Sequence, residues 1–88
     1  MTVIRKPFRR LDITDHTYKV VELVGTSNEG VQQAIEGAID RAGQTLKNLD
    51  WFEVKEIRGN IQDGKIAWYQ VKLGIGLRVL DAADLHRD

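Results

Sequence analysis

The side chains that most often carry out chemistry are scarce in this sequence. There is no cysteine, which excludes disulfides, thiolate zinc sites and a thiol nucleophile. The two histidines, His16 and His86, stand near opposite ends of the chain, and neither has a second His at ligand spacing. No metal motif is present. No Ser-His pair or paired carboxylates fall in an order that supports catalysis. What remains is two tryptophans, Trp51 and Trp68, both inside runs that alternate like β-strands. Their chemistry is that of a flat π-surface, suited to stacking.

The elements that must position them can be read from periodicity. Residues 17–25, TYKVVELVG, are rich in β-branched types and end at a glycine, which predicts a first strand. Thr26 followed three residues later by Glu29 fits a capping box, with Ser27 or Asn28 as alternative caps. Val31, Ala34, Ile35, Ala38, Ile39, Ala42, Leu46 and Leu49 then keep to one side of a 3.6-residue period. They predict an amphipathic helix of about five turns.

Two further alternating runs flank Asp63-Gly64, a strong hairpin signal. A two-residue turn there sets Val54 opposite Leu73 and Phe52 opposite Ile75. It also lines Ala67, Tyr69, Val71, Leu73, Ile75, Leu77 and Val79 along one face. With Phe52 and Val54, that face should receive the helix. The expected fold is α+β, in the order β-α-β-β: a three-stranded antiparallel sheet packed on one amphipathic helix.

Strict alternation then places Trp51, Glu53, Lys55, Ile57, Gly59 and Ile61 on the other face, with Ile66, Trp68, Gln70 and Lys72. Five of these ten are large and apolar, and the chain holds no second helix to cover them. A contiguous apolar patch of this kind marks an interaction site. Its expected cover is another copy of the chain, a planar ligand, or both. A β-bulge that tucks Ile57 and Ile61 inside is the alternative.

Size points the same way. Eighty-eight residues make one thin-cored domain, and small chains gain stability from disulfides, metals or partner copies. With no cysteine and no metal motif, oligomerisation remains. Thirteen basic residues balance thirteen acidic ones, but Arg5, Lys6, Arg9 and Arg10 lie in the first ten positions without an acid. We therefore divide the chain into a basic arm (1–14), a compact domain (15–80) and a polar tail (81–88). The arm has too few interleaved aromatics for nucleic acid to be an expected partner. No apolar run approaches membrane-helix length, and the start lacks the apolar stretch of a signal peptide. A cytoplasmic location is expected.

Several strings together resemble one known family. ELVGTS (22–27), RAGQTL (41–46), LDWFEVKEIRG (49–59), YQV (69–71) and G-x-R (76–78) occur in the order and spacing of the dodecins. The resemblance spans about residues 16–80. It implies a hollow homododecamer that binds FMN or riboflavin, and in some bacterial members coenzyme A. The implied role is storage of flavin and protection from light damage, without catalysis. By the family motifs the flavin ring stacks on Trp51, and Gln70 hydrogen-bonds its polar edge. Arg58 and Arg78 are candidates for a phosphate or diphosphate. An indole offers a wide π-face, glutamine both donates and accepts, and arginine pairs bidentately with phosphate. Three positions depart from the family pattern: Asn60, Trp68 and Leu77. They leave open a structural shell of the same fold that has lost flavin. An enzyme would need a substrate site, and the sequence offers none.

Overall fold

The computed structural model describes residues 16–80. The proposed arm at 1–14 and tail at 81–88 lie outside the described residues. The element order is β1 (Thr17–Ser27), α1 (Val31–Thr45), β2 (Leu49–Gln62) and β3 (Lys65–Val79). The three strands form one antiparallel sheet in the order β1-β3-β2. The helix lies on one side of it. This is the expected α+β fold.

Asp63 and Gly64 both adopt positive φ, 52° and 74°, and join Gln62 to Lys65 directly. That is the mirror-image turn whose twist matches the flanking strands. Phe52 faces Ile75 and Val54 faces Leu73, as the turn predicts.

The helix is shorter than its apolar pattern. Leu46 turns extended and Asn48 adopts φ 64°, so the chain leaves the helix after Thr45. Leu46 and Leu49 still pack on the core, so apolar spacing ran on past the hydrogen-bonded turns. The capping box does not form: Gly30 is the N-cap and no side chain caps the helix. Ser27 instead accepts a hydrogen bond from the Glu29 backbone at 2.9 Å, closing the turn that leads out of β1.

The core is built on the central strand. Val71, Leu73, Ile75 and Leu77 of β3 are buried, with Ala34 and Ala42 of the helix. Val21, Leu23, Ile35, Ala38 and Ile39 pack around them. Gly25 of β1 lets the helix come close, since an added Cβ there would overlap the Ala34 carbonyl. Because β3 lies between the others, the helix sits over β1 and β3. No residue of β2 is buried. Phe52 and Val54, expected beneath the helix, are on its side of the sheet but stay exposed.

Three irregularities in the β2–β3 ladder decide which residues face which way. Leu49 pairs with Leu77 and Trp51 with Gly76, leaving Asp50 as an extra residue on β2. Val54 pairs with Leu73 and Glu56 with Lys72, leaving Lys55 extra. Asn60 pairs with Trp68 and Ile61 with Ile66, leaving Ala67 extra on β3. Directly paired residues share a face of a sheet. Ile57, partner of buried Val71, is therefore on the helix side. Ile61 and Ile66 join it around a shallow apolar recess with Val31, Gly59 and Tyr69. The expectation that Ile57, Ile61 and Ile66 share the face of Trp51 is thus corrected. The bulges at Lys55, for Ile57 and Ile61, and at Ala67, for Ile66, move them to the helix side without burying them. Ile61 is 77% exposed and Ile66 63%, because the helix starts too far back to reach the hairpin tip.

Candidate functional site

The open face of the sheet carries Tyr18, Val20, Glu22, Val24 and Thr26 from β1, and Trp68, Gln70, Lys72, Gly74, Gly76 and Arg78 from β3. Trp51, Glu53, Glu56, Arg58 and Asn60 complete it from β2. Both tryptophans are here, as expected. The patch between them is more charged than alternation implied, since the isoleucines have moved to the other side.

Trp51 continues the alternation of Phe52 and Glu53, and the bulge at Asp50 parts it from Leu49. Unbroken alternation would put Leu49 and Trp51 on one face. The extra residue turns Leu49 to the core, while Trp51 stays outward opposite Gly76. The indole then folds across the central strand. A Cβ added at Gly76 would overlap three indole atoms, Cδ2, Cε2 and Cζ2, so the ring rests by its face on the glycine backbone. Beyond Gly76 it meets Tyr18 of β1 edge-on, with ring centroids 6.0 Å apart and planes at 62°. The Tyr18 hydroxyl donates a 2.8 Å hydrogen bond to Asp50 Oδ2, the carboxylate next to Trp51. That bond raises the Tyr18 pKa, helped by desolvation and by the Asp50 charge and opposed by Arg78.

A second side chain crosses the sheet in the same way. Lys55 donates to Glu22 Oε2 at 2.9 Å, passing over Gly74. The hydrogen bond and the charge of Lys55 lower the Glu22 pKa, and those of Glu22 raise that of Lys55. Lys72 and Glu56, directly paired, stand 4.0 Å apart.

The four residues singled out in the sequence fall into two groups. Arg78 lies at the Trp51 end: it pairs with Tyr18 across the β1–β3 ladder, and its backbone N–H donates to Asn48 O at 3.0 Å. Gln70 and Arg58 are direct partners near the other end of the hairpin. Gln70 lies six positions before Gly76, the partner of Trp51, along β3. At strand rise that is roughly 20 Å. One chain therefore does not bring Trp51 and Gln70 together. A recess that Trp51 borders, lined by Ile39, Leu49, Asp50, Phe52 and Ile75, opens on the helix side and holds only about 130 Å³. Small-molecule pockets usually begin at about 300 Å³.

Sequence reasoning missed Tyr18, Asp50 and Gly76. Tyr18 read as an ordinary strand residue and Gly76 as part of a motif. An aromatic on β1 and a glycine on β3 were the available signal, but only the strand order brings them beside Trp51. The departure at Leu77 falls away from this face, because Leu77 is buried in the core. Asn60 and Trp68 pair with each other next to Gln70. Among the described residues no cluster of His, Asp and Glu is arranged to hold a metal ion. No helix among them is long and apolar enough to cross a membrane.

Comparison with known proteins agrees with this architecture. The family model named Dodecin matches residues 17–80. A dodecin of Thermus thermophilus is 58% identical over 62 residues, covering 70% of this chain and 90% of that one. The dodecin structure from Streptomyces coelicolor superposes with a TM-score of 0.73 at 52% identity, over 78% of this chain and 99% of that one. The one from Streptomyces davaonensis gives 0.72 at 57% identity, over 76% and 98%. The match takes in all three strands and the helix, including the face on which Trp51 lies over Gly76, and the chain belongs to the dodecin family.

Proposed function

We propose that this protein binds riboflavin or FMN without catalysing a reaction on it, and that it stores the flavin and shields it from light. The single observation that carries this reading is the Trp51 indole, laid on Gly76 and still 39% exposed. A planar isoalloxazine fits that platform, and stacking adds roughly 0.5–1.5 kcal/mol beyond area burial. An electron-rich indole against an excited flavin also offers a route for rapid quenching.

Gln70 would hold the polar edge of the ring, and Arg58 and Arg78 would meet the phosphate of FMN. Because Trp51 and Gln70 are far apart in one chain, the Gln70 that completes a site would come from another copy. A homododecamer supplies such copies, and it also covers the apolar hairpin tip. Coenzyme A, with its diphosphate, is a further candidate ligand for the arginines. A cytoplasmic location, where flavin cofactors are made and used, suits the role.

The test is a titration of riboflavin and FMN followed by flavin fluorescence in dim light, with Trp51→Ala alongside. Saturable quenching that disappears in Trp51→Ala supports the reading. An intact assembly that leaves flavin fluorescence unchanged favours a second one, a structural shell without flavin. The Asn60–Trp68 pair beside Gln70 is the feature that favours it, since a bulky indole there narrows access to the glutamine.

A further inference from the structure

The strand order makes it unusual that Tyr18 touches Trp51 at all. Tyr18 is on β1 and Trp51 on β2, and β3 runs between them. Neighbours-but-one in a sheet are about 10 Å apart, and a side chain on the central strand would normally stand between them. Here the β3 partner of Trp51 is Gly76, and Tyr18 reaches the indole diagonally from its own place opposite Arg78. Gly76 leaves a trough one residue wide, and the indole fills it.

We propose that Gly76 and Tyr18 are positioning residues that hold the Trp51 indole flat against the sheet as a stacking platform. This rests on the flavin reading above. Gly76 sets the height and tilt of the ring. Any Cβ at this position overlaps Cδ2, Cε2 and Cζ2 of the indole, so the ring would have to stand up or swing aside. Tyr18 sets its lateral position. Its ring meets the indole edge-to-face, a favourable aromatic geometry. Its hydroxyl is tied to Asp50, the bulged residue whose backbone carries Trp51.

Two contacts thus converge on one side chain, Gly76 from the central strand beneath it and Tyr18 from the far strand. A Trp on an edge strand would otherwise choose among several rotamers. Each would present a different surface to a planar ligand. Holding one of them in advance removes an ordering cost from binding.

The experiment uses full-length protein carrying Trp68→Phe, which leaves Trp51 as the one indole. Tyr18→Ala, Tyr18→Phe and Gly76→Ala are compared by near-UV circular dichroism, indole anisotropy, riboflavin affinity and light-scattering mass. In Tyr18→Ala the indole dichroism and anisotropy should fall and riboflavin should bind about three- to tenfold more weakly, at unchanged mass. Tyr18→Phe, which keeps the ring, should restore most of both. Gly76→Ala should show the larger loss. If it fails to assemble, the Tyr18 pair still decides.

A Tyr18→Ala protein whose indole signals match the parent would overturn the proposal. So would a mobile indole with undiminished affinity. Should the parent itself fail to quench riboflavin, the flavin reading falls. The indole signals of Tyr18→Ala then uphold or overturn the positioning on their own.

Discussion

Arg58 and Gln70 face each other directly across the β2–β3 ladder. Their pairing depends on the one-residue shift between the bulges at Lys55 and Ala67. Without it, Arg58 would lie on the helix side and could not share a ligand with Gln70. This pair and Trp51 lie at opposite ends of one face, which gives the proposed site its most distinctive consequence.

Trp51→Ala and Gln70→Ala proteins should each bind riboflavin weakly. When the two are unfolded together and refolded as mixed assemblies, a minority of sites should regain parental affinity. Those sites pair an intact Trp51 from one copy with an intact Gln70 from another. Mixed assemblies no better than either variant would argue against a site shared between copies.

Arg58→Ala should weaken FMN more than riboflavin, because only FMN carries the phosphate that an arginine can grip. The ratio of the two affinities is the quantity to measure. Equal weakening of both would assign Arg58 to packing around Gln70 instead.

The ion pair between Lys55 and Glu22 should appear in the pH dependence of stability. The Glu22 carboxyl titrates below its usual value near 4.5 because Lys55 bonds and faces it. Its contribution is therefore present above the unfolded value and lost as pH falls through the lower folded value. Lys55, raised from 10.5, loses its share as pH climbs through its higher folded value. Glu22→Gln should flatten the acid limb of a Tm-against-pH curve taken at fixed protein concentration. Added salt should shrink the difference.

The hairpin tip should be needed for assembly. Ile61 and Ile66 are directly paired and are among the most exposed large apolar residues described. Glutamate at both should leave far-UV dichroism largely intact and lower the mass seen by light scattering. Full-sized assemblies from Ile61→Glu/Ile66→Glu would show that the tip faces solvent.

The thin core leaves little tolerance for cavities. Leu73 is completely buried on the central strand, and Leu→Ala at such sites costs about 2–5 kcal/mol. Leu73→Ala should unfold at much lower denaturant than the parent. Leu49→Ala, at the half-buried margin, should shift the midpoint less.

Much of this protein is legible one residue at a time. Asp63-Gly64 reads as a hairpin turn because both positions accept positive φ. Counting from that turn gives the correct partners for Phe52 and Val54, because the extra residues Lys55 on β2 and Ala67 on β3 offset each other. The helix reads from its 3.6-residue apolar spacing, although its end does not. Leu46 and Leu49 continue the spacing after the backbone has left the helix, since the core accepts side chains from a loop or a strand equally well. Trp51 also reads outward correctly, though for an incomplete reason: alternation named its face, and the bulge at Asp50 sends Leu49 to the opposite one.

The tertiary structure decided the rest. A bulge shifts alternation by one residue and leaves little local trace, so Ile57, Ile61 and Ile66 could not be assigned to the helix side from spacing. The order β1-β3-β2 rests on pairing between segments about fifty residues apart. It brings Tyr18 and Trp51 together over Gly76, and it leaves Trp51 and Gln70 at opposite ends of one face. Periodicity records which way a side chain points relative to its neighbours in sequence. Which strand lies beside it, and how far along, is set by packing over the whole sheet.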